Sequence, residues 1–368
     1  MPSWGAQPQG YGGQYGPPPQ GPPPQWGQQP QWSGPPGPPP GKGGRGKWIL
    51  GGLAILVVVV LAVVITVLVM RPSGGGPTPT PTNGHSDFAS ADDNGPVNII
   101  TEDTTCEAWA KISREYADKT NPVSWGTRDG TVPESAWTPE QRTMYSTVGD
   151  AMTRAADQTE NLLKLTPHRV MREIYEQFIA YARTFVERIP SYVAADDNLA
   201  VTADAAGNAL VNVCAAIDFR SAQAIAPLLP VPAGPSSTSS PEDPLTPIRF
   251  LSTPNQICPE FEAVVTKFTD DTAAWRAIDP NISSTDWTPD QRSIYVGVGS
   301  VMTSNADEIE RLARKSGNPT LEDVAILAAQ YRRAFVTAIP SYSPADNYLA
   351  IAATNLVRLV NWGCKAVA

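Results

Sequence analysis

From Val170 to Ile189 the apolar residues Val170, Ile174, Phe178, Ala182, Phe185 and Ile189 recur every three or four positions. That spacing lines one face of a helix. Pro190 closes the run, and Pro340 closes a matching run further on, as expected where a helix stops. The same kind of reading predicts helices over about 106–118, 139–165, 167–188 and 196–218, with no convincing strand alternation between them. Four helices with short connections suggest an antiparallel four-helix bundle.

Two other patterns stand upstream. Residues 48–70, WILGGLAILVVVVLAVVITVLVM, run 23 positions without a charge. As a helix they reach roughly 34 Å, enough for a ~30 Å hydrocarbon core. The run is longer than a signal-peptide core, lies behind 47 residues and lacks a clean small-x-small cleavage site, so a retained single span is expected. Residues 1–47, rich in Pro, Gly, Gln, Tyr and Trp, have no apolar periodicity. Such a segment cannot offset the entropy of ordering its backbone, and a disordered tail with polyproline II character is expected.

Charge orients the chain. Lys42, Arg45 and Lys47 precede the span and only Arg71 follows it closely, which puts the N-terminus in the cytoplasm and the C-terminal ~300 residues outside. Residues beyond 71 carry 23 basic and 36 acidic side chains, a net −13. So acidic a region is a poor partner for nucleic acid or anionic lipid, and nucleic-acid binding is discarded.

The outer part is a duplication. Aligned without gaps, 137–200 and 287–350 share 26 of 64 residues, including WTPEQR against WTPDQR and YARTFVERIPSY against YRRAFVTAIPSY. The cysteines keep the frame, with Cys214 and Cys364 150 apart and Cys106 and Cys258 152 apart. Each unit opens and closes with a cysteine, so Cys106–Cys214 and Cys258–Cys364 are the expected bonds in an oxidising compartment. Closing loops of roughly 110 residues would contribute about 4–5 kcal/mol each. Zinc would need tighter spacing, such as C-x-x-C.

The repeated WTP-x-QR phrase reads as a helix start. Thr138 and Thr288 are N-caps, the following prolines occupy N1, and Gln141 and Gln291 complete capping boxes. Trp137 and Trp287 sit at N′, where the indole can lie over Arg142 or Arg292. A ligand motif is the alternative reading.

Chemistry is sparse. His85 and His168 are the two histidines, and Asn318 stands where a second His168 would be, which excludes a repeated histidine-based catalyst or metal site. No phosphate-loop, HExxH or GxSxG string is present. A glycosidase-type carboxylate pair has weak grounds, because Asp196–Asp197 becomes Asp346–Asn347. One repeated polar set remains: Arg183, Tyr192 and Asp196, with Arg333, Tyr342 and Asp346. It reads as an Arg–Asp pair fixing the IPSY loop, or as a small pocket with tyrosine as a wall. Asp196 and Asp346 are also candidate caps for each unit's last helix.

The expected organisation is a cytoplasmic tail (1–47), a transmembrane helix (48–70), a Pro/Thr/Gly-rich stalk (71–100), a first helical unit (101–220), a Pro/Ser-rich linker (221–252) and a second helical unit (253–368). The fold class is mostly α, with two tandem disulfide-stapled antiparallel bundles. The tail and span, MPSWGAQPQG…GKGGRGKWILGGLAILVVVV, followed by an Ala/Thr/Asp-rich outer part, resemble single-pass envelope proteins of mycobacteria and related actinobacteria. The resemblance is one of organisation and carries over no site residue. It implies a membrane-anchored envelope protein. The expected function is non-catalytic, a scaffold for envelope or membrane proteins. The tail offers Trp4, Tyr11, Tyr15, Trp26 and Trp32 to a cytoplasmic partner. A carrier or sensor for lipid or glycan, with one site per unit, is the alternative. No cofactor or metal is expected.

Overall fold

The computed structural model describes residues 87–368. The expected tail, the expected span and most of the expected stalk lie outside the described residues. Among the described residues there is no strand, and the first repeat is built on α1 (Cys106–Thr120), α2 (Pro139–Leu165), α3 (Arg169–Arg188) and α4 (Asp197–Asp218), with a short α5 (Ser221–Ile225) after them. The second repeat is α6 (Cys258–Asp271), a single turn α7 (Ala273–Arg276), α8 (Pro289–Lys315), α9 (Pro319–Ala338) and α10 (Asn347–Lys365). The fold is all-helical, and each repeat is a disulfide-stapled bundle. Cys106 is bonded to Cys214 and Cys258 to Cys364, with Cα–Cα distances of 5.4 and 5.5 Å, so each bond ties the start of a first helix to the end of a last one.

Local chemistry starts and stops the helices. At α2 the Gln141 N–H donates to Thr138 Oγ1 (3.2 Å) and the Thr138 N–H donates to Gln141 Oε1 (2.9 Å). Thr288 and Gln291 repeat both bonds at α8 with the same distances. Pro139 and Pro289 occupy N1, where a missing N–H leaves nothing unsatisfied. α3 and α9 both give way to a 3₁₀ turn at Ile-Pro-Ser, because proline has no N–H to continue the ladder. Asn318 caps α9 by accepting the Leu321 N–H (2.9 Å). His168, in the corresponding place, instead turns its ring to Glu102 O (2.8 Å).

The two repeats share one core. α4 packs along α10, and α3 meets α9. Asn198, at the start of α4, donates to Lys365 O at the end of α10 (3.1 Å). At the other end, Tyr348 stacks on Phe219 just past α4, with centroids 4.9 Å apart. The paired helices are therefore antiparallel, and a local two-fold relates the repeats. Small buried side chains, Ala203, Ala206 and Ala209 on α4 with Ala352 and Ala353 on α10, occupy this region. α4 is also the one helix among the described residues long and apolar enough to cross a membrane (194–218, mean hydropathy 1.4), but 67% of its apolar window is buried, which fits a core helix.

The segments flanking the repeats correct the expected boundaries. Val97, Ile99 and Ile100 fall within the expected stalk, yet all three are buried in the shared core. They cross to the second repeat, where the Ile100 N–H donates to the Tyr331 hydroxyl (3.3 Å). The second arm crosses the other way: the Phe250 N–H donates to Gln177 Oε1 (2.7 Å), and Gln177 Nε2 donates to Ile248 O (3.2 Å). Phe250 also packs on Tyr181, with centroids 5.8 Å apart, and on Gly363, where a Cβ would lie 2.3 Å from its ring. The apolar content of these arms was masked in the sequence by the Pro, Ser and Gly around it.

Each capping box contributes independently, since the two lie in different repeats. Thr138→Ala and Thr288→Ala are each expected to lower stability by about 1 kcal/mol, and the double variant by about their sum. Urea midpoints at constant m-value check this, and a sub-additive pair would mean that the two helix starts are coupled.

Candidate functional site at the repeat seam

The repeated polar set of the sequence is dispersed by the fold. Arg183 on α3 pairs with Asp157 (2.9 Å) and Glu160 on α2 and donates to Leu245 O (2.5 Å). Arg333 pairs with Asp307 and Glu310 on α8, both at 2.7 Å. Neither arginine pairs with Asp196 or Asp346, so the expected Arg–Asp clamp is corrected: each arginine ties two helices of its own bundle. Asp196 does not cap the last helix through its side chain either. Its Oδ2 accepts the N–H of Val193 (2.9 Å), and Asp346 Oδ2 accepts that of Ser343 (2.8 Å), so each closes the 3₁₀ turn that precedes the helix.

Tyr192 and Tyr342 are buried rather than pocket walls. The Tyr192 hydroxyl donates to Gly130 O and that of Tyr342 to Pro280 O, both at 2.6 Å. Their rings join the tryptophans of the repeated phrase. Trp137 stacks on Tyr145 (3.9 Å) and lies 5.3 Å from Tyr192; Trp287 stacks on Tyr295 (3.8 Å) and lies 5.5 Å from Tyr342. The expected Trp–Arg stacking is secondary: Arg292 stands 5.8 Å from the Trp287 ring, while Arg142 pairs with Glu134. The phrase thus feeds an aromatic stack inside each bundle.

The charged groups that the fold does bring together lie where α3 meets α9. Arg169 and Asp323 are both buried, and Arg169 Nε donates to Asp323 Oδ2 at 2.6 Å across the seam. Arg169 also donates to Asp93 O and to Gly95 O (3.1 Å), which fastens the first arm. Burial works against the Arg169 cation, and Asp323 more than offsets this, so its pKa is raised. Glu173 and Asp323 are equivalent positions, 150 apart, and they meet near the local two-fold. Burial, and for Glu173 the charge of Asp323, raise both carboxyls.

Residues 229–257 contain no helix and form a strap over this cluster. The expected Pro/Ser-rich linker therefore has a structural role. Ser239 donates its hydroxyl to Glu173, the Glu242 N–H donates to Glu176 Oε1 (3.3 Å), and the Ser236 N–H and hydroxyl donate to Glu322 Oε1 (3.2 and 3.3 Å). Arg172 Nη2 donates to Ser239 O (3.1 Å). Between strap and first arm lies a polar cleft of ≈ 120 Å³, lined by Ser90, Asp93, Asn94, Arg169, Arg172 and Ser239 among others. The sequence did carry a signal: Arg169, Arg172, Glu173 and Glu176 follow helical spacing. A charged stripe at that spacing ordinarily reads as a solvated face, and nothing local says that a strap will cover it. Among the described residues no group of three or more His, Cys, Asp and Glu side chains forms a metal site.

A family model described as mycobacterial ESX-1 associated protein matches residues 88–368. An uncharacterized protein of Mycolicibacterium smegmatis (strain MKD8) is 43% identical over 336 residues, covering 90% of this chain and 89% of that one. No solved structure matches.

Glu176 gives the seam a pH signature. Burial raises its carboxyl to about 7, against roughly 4.3 in an unfolded chain. Between those values the folded protein holds a proton that the unfolded chain has released, so this group's contribution falls as pH rises through the window. Glu176→Gln is expected to flatten the loss of stability between pH 4.5 and 7.5 by on the order of 2 kcal/mol. Urea unfolding of both proteins at the two pH values measures it, and superimposable pH profiles would show that Glu176 titrates normally.

Proposed function

Because the chain belongs to the mycobacterial ESX-1 associated protein family, which sets it in a secretion-system context with protein partners, we propose that it is a membrane-anchored, extracytoplasmic, non-catalytic scaffold. In this reading residues 48–70 span the membrane once, the N-terminal tail lies in the cytoplasm, and the duplicated helical body faces outward and binds envelope or membrane proteins. The observation that carries it is the strap. Buried carboxylates hold it from beneath, while Val231, Leu245 and Ile248 stand exposed within it and Leu228 just before it. Apolar side chains kept at the surface of a fastened segment suit burial by a protein partner. The bundle interiors favour a scaffold over a carrier of lipid or glycan. The cavity inside the second bundle is ≈ 10 Å³ and the polar cleft ≈ 120 Å³, against ~300 Å³ or more for small-molecule sites.

In-cell crosslinking of the full chain, followed by non-reducing native mass spectrometry from its own membranes, tests this. Discrete protein partners are expected, with crosslinks near 228–248, and a variant carrying Val231→Ser and Ile248→Ser should lose at least half of them while keeping its unfolding midpoint. A lipid or glycan retained at one or two copies per chain, with no protein partner, would replace the scaffold by the carrier.

A further inference from the structure

The two repeats treat one half-buried position in opposite ways. In the first, Asp204 on α4 receives the Tyr116 hydroxyl (3.0 Å) and the Trp125 indole N–H (3.2 Å). Arg128, stacked 3.6 Å over the Trp125 ring, adds its charge, although burial keeps the Asp204 pKa raised. At the corresponding positions of the second repeat stand Phe268 for Tyr116, Trp275 for Trp125, Ile278 for Arg128 and Thr354 for Asp204. The acid is gone, and so are the hydroxyl and the arginine that served it.

The indole remains. Trp275 lies against Phe335 (5.4 Å) as Trp125 lies against Phe185 (5.8 Å). Its N–H is buried and faces the Tyr295 hydroxyl, with no other hydrogen-bond partner among the described residues. A new cation has arrived: Arg332 on α9, where the first repeat has Ala182. Arg332 is 3% exposed, its Cζ sits 3.8 Å over the Phe268 ring, and Nη1 donates to Asn305 Oδ1. No ion pair joins it among the described residues, and burial alone pushes its pKa down to about 9. An unpaired buried charge is costly, and a neutral amide and a ring face offset only part of that cost.

Arg332, Trp275 and Thr354 border a cavity of ≈ 10 Å³, closed by Phe268, Met302 and Phe335. That is room for about one water-sized occupant. We propose that the second repeat binds a single monatomic monovalent anion, chloride under physiological conditions, in this cavity against the Arg332 guanidinium and the Trp275 N–H. The anion does there what the Asp204 carboxylate does in the first repeat. The size of the space excludes carboxylates, phosphate and sulfate, and the guanidinium excludes cations.

The test uses the full chain in detergent, with thermal unfolding followed at pH 7 in sodium chloride, bromide, gluconate or sulfate at matched ionic strength. Chloride and bromide are expected to raise Tm saturably, by roughly 2–4 °C relative to gluconate, whereas sulfate gives only the unsaturable rise of an excluded kosmotrope. Thr354→Asp restores the carboxylate of the first repeat and should abolish the halide effect. Bromide-soaked crystals of the unsubstituted protein supply a readout independent of that variant: an anomalous peak in contact with the Arg332 guanidinium is expected. Equal Tm in chloride and gluconate across the titration, or a bromide map without that peak, overturns the proposal. A folded Thr354→Asp protein that keeps the full halide response overturns it as well.

Discussion

The seam between the repeats rests on one buried contact, the Arg169–Asp323 ion pair. Each partner is enclosed, so neither charge can be satisfied by water, and the structure around them supplies what water would. Arg169 spends its remaining donors on the backbone of Asp93 and Gly95, which fixes where the first arm enters. Asp323 and its equivalent Glu173 sit on the local two-fold, and Glu173, 3.8 Å from the Arg172 guanidinium, still lacks a close hydrogen-bond donor from the helices. The strap provides it through Ser239. Removing either partner of such a pair leaves a stranded charge, which commonly costs 3–5 kcal/mol, whereas the intact pair adds little net stability. Its contribution is to define which face of α3 meets which face of α9.

The exchange of arms follows from the same geometry. Once α4 and α10 lie antiparallel, each repeat leaves an apolar strip of its third helix open toward the other. Tyr331 and Gln177 stand on those strips and present side-chain hydrogen-bonding groups to a passing backbone. The arm of the opposite repeat satisfies them, and Ile100 and Phe250 fill the space beside them. A tandem duplication has thereby become a single interlocked body rather than two beads.

Much of the helical architecture was legible because its signals are local. Apolar periodicity marked α3, the Thr–Gln boxes marked the starts of α2 and α8, and prolines marked the stops. The cysteine frame identified which ends lie close. What could not be read depends on contacts between distant residues. Arg183 looked suited to Asp196 because both recur near the same loop, yet the helical spacing of Asp157 and Glu160 on the neighbouring helix places two acids nearer. Tyr192 looked like a pocket wall, but Trp137 and Tyr145 close over it. The strap was the hardest case, since its Pro and Ser content is that of a spacer and its partners are acids some 70 residues away. The duplication sets each half against the other: a difference between them, such as Ala182 against Arg332, stands out against the shared frame.

The crossing of the first arm has a mechanical consequence. A force applied at residue 87 and directed away from the body does not reach α1 first. It passes first into Ala89, whose N–H donates to Lys164 O at the end of α2 (2.9 Å), then into Asp93 and Gly95, held by Arg169, and then into the segment that ends at Tyr331 of the far repeat. Load is therefore shared with the far half before α1 is peeled, and the Cys106–Cys214 bond shields α1 behind that anchorage. The body should yield to such tension as one unit.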